Sequence, residues 1–196
     1  AAFGHFRSAG IEPILIKGWA VGRLYPAHKP RFAADIDLAI SSADLEKAEN
    51  LIKTASFEII AVDLHRELRH LDTIAWQKLF SRSQTINLDG TSIRILADED
   101  HLRVLAVHWL SDGGMNRDRL WDIHYTVTSQ AKTFDWDRCF AEISPTRQKW
   151  IRTVVALAAK YTQLDVAAVP FDTSENNIPR WIIKTLEKEW RSDVPI

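Results

Sequence analysis

The chain has 196 residues, with 25 Lys and Arg against 26 Asp and Glu, so its formal charge is −1 when the seven histidines are neutral. That balance excludes a strongly basic nucleic-acid clamp, and 46% hydrophobic with 26% charged residues excludes a disordered or collagenous chain. No apolar run approaches the ~20 residues needed to cross a bilayer. The single cysteine, Cys139, excludes an internal disulfide and points to a cytoplasmic location.

The sequence opens on Ala1-Ala2-Phe3 in what reads as mid-helix and lacks an initiator Met, as expected of a piece of a longer chain. Ile14 to Lys17 reads as a short buried strand, and Gly18 to Tyr25 as a short helix stopped by Pro26. Asp35 to Ile40 is the next strand. Ser41-Ser42-Ala43-Asp44 offers N-cap residues for a helix running to about Ala55, and Phe57 to His65 alternates as a third strand. Residues 84 to 95 pattern as a hairpin turning at Asn87-Leu88-Asp89-Gly90, where Asp-Gly favours positive φ. After the N-cap Asp98 the apolar period becomes helical, near 99–111, 116–130, 135–143, 146–164 and 178–190, with breaks at Gly113-Gly114, Ser144-Pro145 and Pro170 to Pro179. The pattern predicts an α/β-type core over residues 1–97 and a helical domain over 98–196. Five of the eight tryptophans fall between residues 100 and 185, where they read as helix-packing anchors.

The residues with chemical potential lie in the first part. On a strand, residues i and i+2 share a face, ~7 Å apart at Cα, so Asp35 and Asp37 project together while Ile36 and Leu38 enter the core. Two like charges on one face repel, and a divalent cation between them removes that penalty. Oxygen ligands of this kind suit Mg²⁺. In the third strand Asp63 and His65 face opposite to Val62 and Leu64, so Asp63 joins the pair if the two strands are neighbours. Three such carboxylates can hold two Mg²⁺ about 3.5 to 4 Å apart, the arrangement used in phosphoryl transfer. Gly18, where a strand ends and a helix begins, admits phosphate to backbone N–H groups, and Lys17 and Arg31 supply positive charge for it.

The order Lys17-Gly18, Arg31, Asp35-Ile36-Asp37-Leu38, a helix, then Val62-Asp63-Leu64-His65 resembles the polymerase-beta-type nucleotidyltransferase superfamily. The nearest likeness is to the bacterial "nucleotidyltransferase family protein" group, and it extends over about residues 14 to 130 through His101 to His108 and Arg119 to Asp122. The resemblance implies an α+β fold, with a small mixed β-sheet flanked by helices and a C-terminal helical region. It further implies Mg²⁺-dependent transfer of a nucleoside monophosphate from an NTP to a hydroxyl. Asp35 and Asp37 would be metal ligands, and Asp63 the third ligand and the base for the acceptor. Trp19 departs from the Gly or Ser that the superfamily usually carries after its first glycine, and the interval from Gly18 to Asp35 is longer than usual.

Other signals are weaker. The histidines at 65, 70, 101, 108 and 124 invite a zinc or iron hydrolase, but His65 and His70 are five apart and the His-Glu-x-x-His pattern is absent. His65, beside Asp63, is placed to touch acceptor or phosphate or else to sit hydrogen-bonded in the core. Arg119 is a further candidate for nucleotide binding, ahead of Arg117. Neither a P-loop nor a dinucleotide-binding glycine motif occurs. The near-neutral charge favours a small molecule or a protein side chain over a polynucleotide as acceptor. The competing expectation is an inactive nucleotide-binding or antitoxin-like regulatory module of the same fold, which Trp19 favours.

Overall fold

The computed structural model describes residues 2–54, 61–68, 74–88, 90–129 and 133–192. The chain divides into two compact units, Ala1–His101 and Leu102–Ile196. In chain order the first unit contains α1 (Ala2–Ser8), β1 (Ile14–Ile16), α2 (Gly18–Gly22), β2 (Asp35–Ile40), α3 (Leu45–Thr54), β3 (Ala61–Arg66), α4 (Trp76–Arg82), β4 (Gln84–Leu88), β5 (Thr91–Ile95) and the start of α5 (Asp98–Ser111).

The five strands form one mixed sheet in the order β3-β2-β1-β5-β4. β1 is antiparallel to β2 and parallel to β5, β2 and β3 are parallel, and β4 and β5 form an antiparallel hairpin. A parallel neighbour requires a crossover, which α3 provides between β2 and β3. Ser41 and Asp44 turn the chain into that helix, with the Asp44 N–H donating to Ser41 Oγ at 3.1 Å. Strand alternation then sorts the side chains. Leu15, Leu38, Ile40, Ile93 and Ile95 are buried in one cluster with Phe3 and Phe6 of α1, and Ile36, Val62 and Leu64 pack against it. Each fully buried Leu or Ile there contributes about 1.5–3 kcal/mol. The same alternation sends Asp35, Asp37, Asp63 and His65 to the other face.

Several expected boundaries move. β1 stops at Ile16 because Lys17 leaves the extended region, with φ 53° and ψ −133°. α2 ends at Gly22, short of Tyr25, and the chain continues in tight turns in which Leu24 N–H donates to Val21 O and Tyr25 N–H to Gly22 O. Gly22 weakens the helix and Pro26 disfavours helical backbone just before it. α4 has no counterpart among the expected elements. Asp89 of the expected hairpin turn, residues 57–60 of the expected third strand, Ala55, His70 and Gln130 lie outside the described residues. Gly90 does take positive φ, 78°, and its N–H donates to Asn87 Oδ1 at 2.9 Å.

The second unit is helical. It holds the rest of α5, a 3-10 turn at Arg117–Arg119, α6 (Leu120–Ser129), α7 (Trp136–Phe140), α8 (Pro145–Thr162), a 3-10 turn at Glu175–Asn177 and α9 (Arg180–Arg191). α6 packs on α8. Ser144 caps α8 by accepting from Arg147 N–H, Pro145 follows inside the first turn, and left-handed Gln163 ends the helix. The buried Arg103 guanidinium donates to the carbonyls of Arg138, Cys139 and Ala141, groups that the end of α7 would otherwise leave unsatisfied. Gly114 has φ 68°, and a Cβ there would lie 2.6 Å from Leu186 Cδ2 and 2.9 Å from the Trp109 ring, so only glycine fits. Trp109, Trp136 and Trp190 each donate their indole N–H to a backbone carbonyl, as packing anchors do. No helix among the described residues is long and apolar enough to cross a membrane.

Candidate active site

The β2/β3 register sets the acids. Asp37 stands directly opposite Asp63, whereas Asp35 stands opposite Ala61. Asp37 is buried, with 6% of its surface exposed, while the Asp63 side chain is 57% exposed. His65, two residues beyond Asp63 on the same face, brings its Nε2 to 2.8 Å from Asp37 Oδ1 and 3.2 Å from Asp63 Oδ2. One ligand atom from each of Asp37, Asp63 and His65 thus lies within 4.8 Å of the others. Asp35, one pleat repeat back along β2, stands outside that group.

A cation is already directed at this point. Lys17 Nζ lies 2.6 Å from Asp37 Oδ1. This contact depends on the backbone, because Ile16 is the residue opposite Asp37 and a continued strand would send Lys17 to the other face. The left-handed φ of Lys17 turns the side chain back. Its carbonyl accepts from Val21 N–H at 3.0 Å, opening α2, and its N–H donates to His101 Nε2 at 3.1 Å.

Gly18 follows at once. A Cβ at Gly18 would sit 3.1 Å from the Ala33 Cβ and 3.4 Å from a guanidinium nitrogen of Arg31, so the missing side chain lets Arg31 come close to the β1–α2 junction. Arg31 also donates to Phe32 O at 3.4 Å. Arg119 belongs to the second unit, where it pairs with Asp122 at 3.7 Å.

The electrostatics follow from these contacts. Burial acts to raise the Asp37 carboxyl, but the hydrogen bonds from His65 and Lys17 and their positive charge outweigh it and hold Asp37 below its usual range. Asp37 is therefore ionised at neutral pH. His101 is fully buried, and burial together with the positive charges of Arg23 and Arg31 pushes it down to about 3. It is a neutral imidazole whose Nε2 accepts the Lys17 N–H.

These shifts fix the sign of the acid response. An unfolded chain protonates His101 below about pH 6.5 while the folded one does so only near 3, so stability falls as pH drops through that window. Asp37 adds to the loss below about pH 5, where the unfolded carboxyl begins to protonate. Urea unfolding between about pH 7 and pH 4.5 should show a decline of a few kcal/mol at most, and His101→Gln should remove much of it. An equal decline in both proteins would assign the acid sensitivity to other groups.

The donor set fits a divalent cation. Two carboxylates and an imidazole converge, one carboxylate is kept ionised, and the ammonium at Asp37 marks a point built to face positive charge. The role of His65 in joining both acids is visible in sequence as the i, i+2 spacing from Asp63. The role of His101 is not, since it comes from a helix 84 residues along the chain from its partner.

Comparison with known proteins adds to this geometry. A family model described as an uncharacterised nucleotidyltransferase matches residues 2–163. No curated protein matches the chain. Among solved structures, the crystal structure of an antigenic nucleotidyltransferase-like protein from Paracoccidioides brasiliensis is similar, at 15% identity, with 85% of this chain and 92% of that chain covered and a TM-score of 0.48.

Proposed function

Because the chain belongs to the uncharacterised nucleotidyltransferase family, we propose that its first unit moves a nucleoside monophosphate from an NTP to a hydroxyl acceptor, with Mg²⁺ held by Asp37 and Asp63 of the converging group and by Asp35, which shares the Asp37 face of β2. The observation that carries this reading is the pairing of Asp37 with Asp63 across β2 and β3, with His65 within 4.8 Å of both. Mg²⁺, when bound, would neutralise the triphosphate and polarise the α-phosphate.

The protein's own groups account for the rest. Asp63, the exposed member of the pair, takes the proton of the acceptor hydroxyl as that oxygen bonds to the α-phosphorus. The bond from the α-phosphorus to the bridging oxygen breaks, and pyrophosphate leaves with that electron pair. Lys17 and Arg31 supply positive charge for the phosphates, and Gly18 keeps side-chain bulk away from their approach. The near-neutral chain favours a small molecule or protein side chain as acceptor.

The test is α-labelled NTP with Mg²⁺ and candidate hydroxyl acceptors, comparing the native protein with Asp63→Asn. Asp63 is exposed, so the variant should keep its stability within about 0.5 kcal/mol while its transfer rate falls about 10²–10⁴-fold. Undiminished transfer in the variant would remove Asp63 from the reaction. Mg²⁺-dependent NTP binding without transfer by the native protein would favour a regulatory nucleotide-binding module, a reading supported by exposed Trp19 beside Gly18.

A further inference from the structure

Lys17 combines three features that do not occur together by default. It is a non-glycine residue with φ 53° and ψ −133°, a conformation in which its Cβ is crowded against its own backbone. Its ammonium forms the 2.6 Å contact with Asp37. Its N–H is taken by a side chain rather than by the sheet, although β1 pairs with β2 through Ile16 and with β5 at Leu15.

That side chain is His101, with no exposed surface, reaching from α5 at 3.1 Å. His101 Nδ1 is also buried and finds no hydrogen-bond partner among the described residues. The imidazole therefore makes one directional bond, to the Lys17 N–H, at the cost of leaving its other nitrogen unsatisfied; an apolar side chain would carry no unsatisfied ring atom but would orphan the Lys17 N–H. Nothing in core packing calls for that exchange. Charge supports the same conclusion, because the neutral ring keeps a lone pair on Nε2 throughout the working pH range.

We propose that His101 is a positioning residue: by accepting the Lys17 N–H it holds Lys17 in the left-handed conformation that turns the ammonium onto the Asp37 face of the sheet. With the Lys17 carbonyl fixed by Val21 N–H, both peptide groups flanking the strained residue are tied. Without the acceptor, Lys17 relaxes toward extended backbone, and alternation carries its side chain to the face of Leu15 and Leu38. The inference rests on the nucleotidyl-transfer reading only for its effect on rate. Its effect on Lys17 stands apart from that reading.

The experiment compares the native protein with His101→Leu, which lacks the acceptor, and His101→Gln, whose amide oxygen can reach the same position. Amide hydrogen exchange of Lys17, followed by NMR without metal or nucleotide, should speed up about tenfold or more in His101→Leu and return to within about threefold of native in His101→Gln. For NTP transfer, kcat should fall about 10²-fold in His101→Leu with a much smaller change in the acceptor KM, and His101→Gln should recover most of it. If His101→Leu does not fold, His101→Asn, polar but too short to reach, takes its place with the same expectations. Unchanged Lys17 exchange in the variant lacking the acceptor, or no recovery with Gln, overturns the proposal. Absence of transfer by the native protein overturns the enzymatic reading alone, and the exchange measurement still decides the role of His101.

Discussion

Asp37→Asn is expected to abolish detectable nucleotidyl transfer, a loss of at least about 10³-fold in kcat/KM, while the protein stays folded. Asp37 is the residue on which the site converges: Lys17 at 2.6 Å and His65 at 2.8 Å contact its carboxylate, and Asp63 stands opposite it across the register. Asparagine keeps the shape but removes the charge that both a cation and Lys17 require. The variant also leaves the Lys17 ammonium without its counter-ion. That group is near the surface, 13% exposed on a flexible stem, so it escapes to water at a cost of about 1–2 kcal/mol. Mn²⁺ binding followed by electron paramagnetic resonance gives a readout independent of turnover and should weaken about tenfold or more, since one of few charged ligands is gone. A variant that binds Mn²⁺ and transfers label like the native protein would remove Asp37 from both roles.

The sheet and the acids were legible because both follow from a period of two. Ile36, Leu38 and Ile40 inward fixes Asp35 and Asp37 outward, and the same rule applied to Val62 and Leu64 fixes Asp63 and His65. The change in period near residue 97 separated an α/β-type core from a helical half, and the α+β fold itself came from the resemblance carried by Lys17-Gly18, Asp35 to Leu38 and Val62 to His65. What stayed hidden has a physical cause in each case. α4 begins after Ala75, which offers no side-chain cap, and seven residues give too short a periodic signal. Lys17 carries no mark of positive φ because a lysine is the wrong residue for it, and only the tertiary contact with His101 makes the conformation tenable. The rank order among the acids was hidden too: the sequence treats Asp35 and Asp37 alike, whereas pairing places one opposite Asp63 and the other opposite Ala61.

Replacing Asp100 by Ala should cost about 3–5 kcal/mol in the first unit, the largest stability loss anticipated for a single charged residue there. Asp100 has no exposed surface, lies in the first turn of α5, and forms an ion pair with the Arg82 guanidinium, in which Nη2 donates to Oδ1 at 2.6 Å and Nε lies 2.5 Å from Oδ2 without hydrogen-bond geometry. The first turn of a helix favours a carboxylate through its unpaired N–H groups, so the acid is stabilised from both sides. Alanine removes it and leaves Arg82, at the end of α4, largely buried without its counter-charge. Replacing both partners tells the cost of a broken pair from the worth of the pair itself. Arg82→Met with Asp100→Leu should recover most of the stability, because neither charge then remains to be solvated. Urea unfolding of the single and double variants measures this, and a loss below about 1 kcal/mol in Asp100→Ala would mean that water reaches the pair. Asp100 directly precedes His101, so this ion pair also anchors the helical turn from which the imidazole reaches Lys17. In Asp100→Ala, Lys17 amide exchange should therefore rise even at temperatures where the sheet remains folded, which would tie the buried pair to the geometry at Asp37.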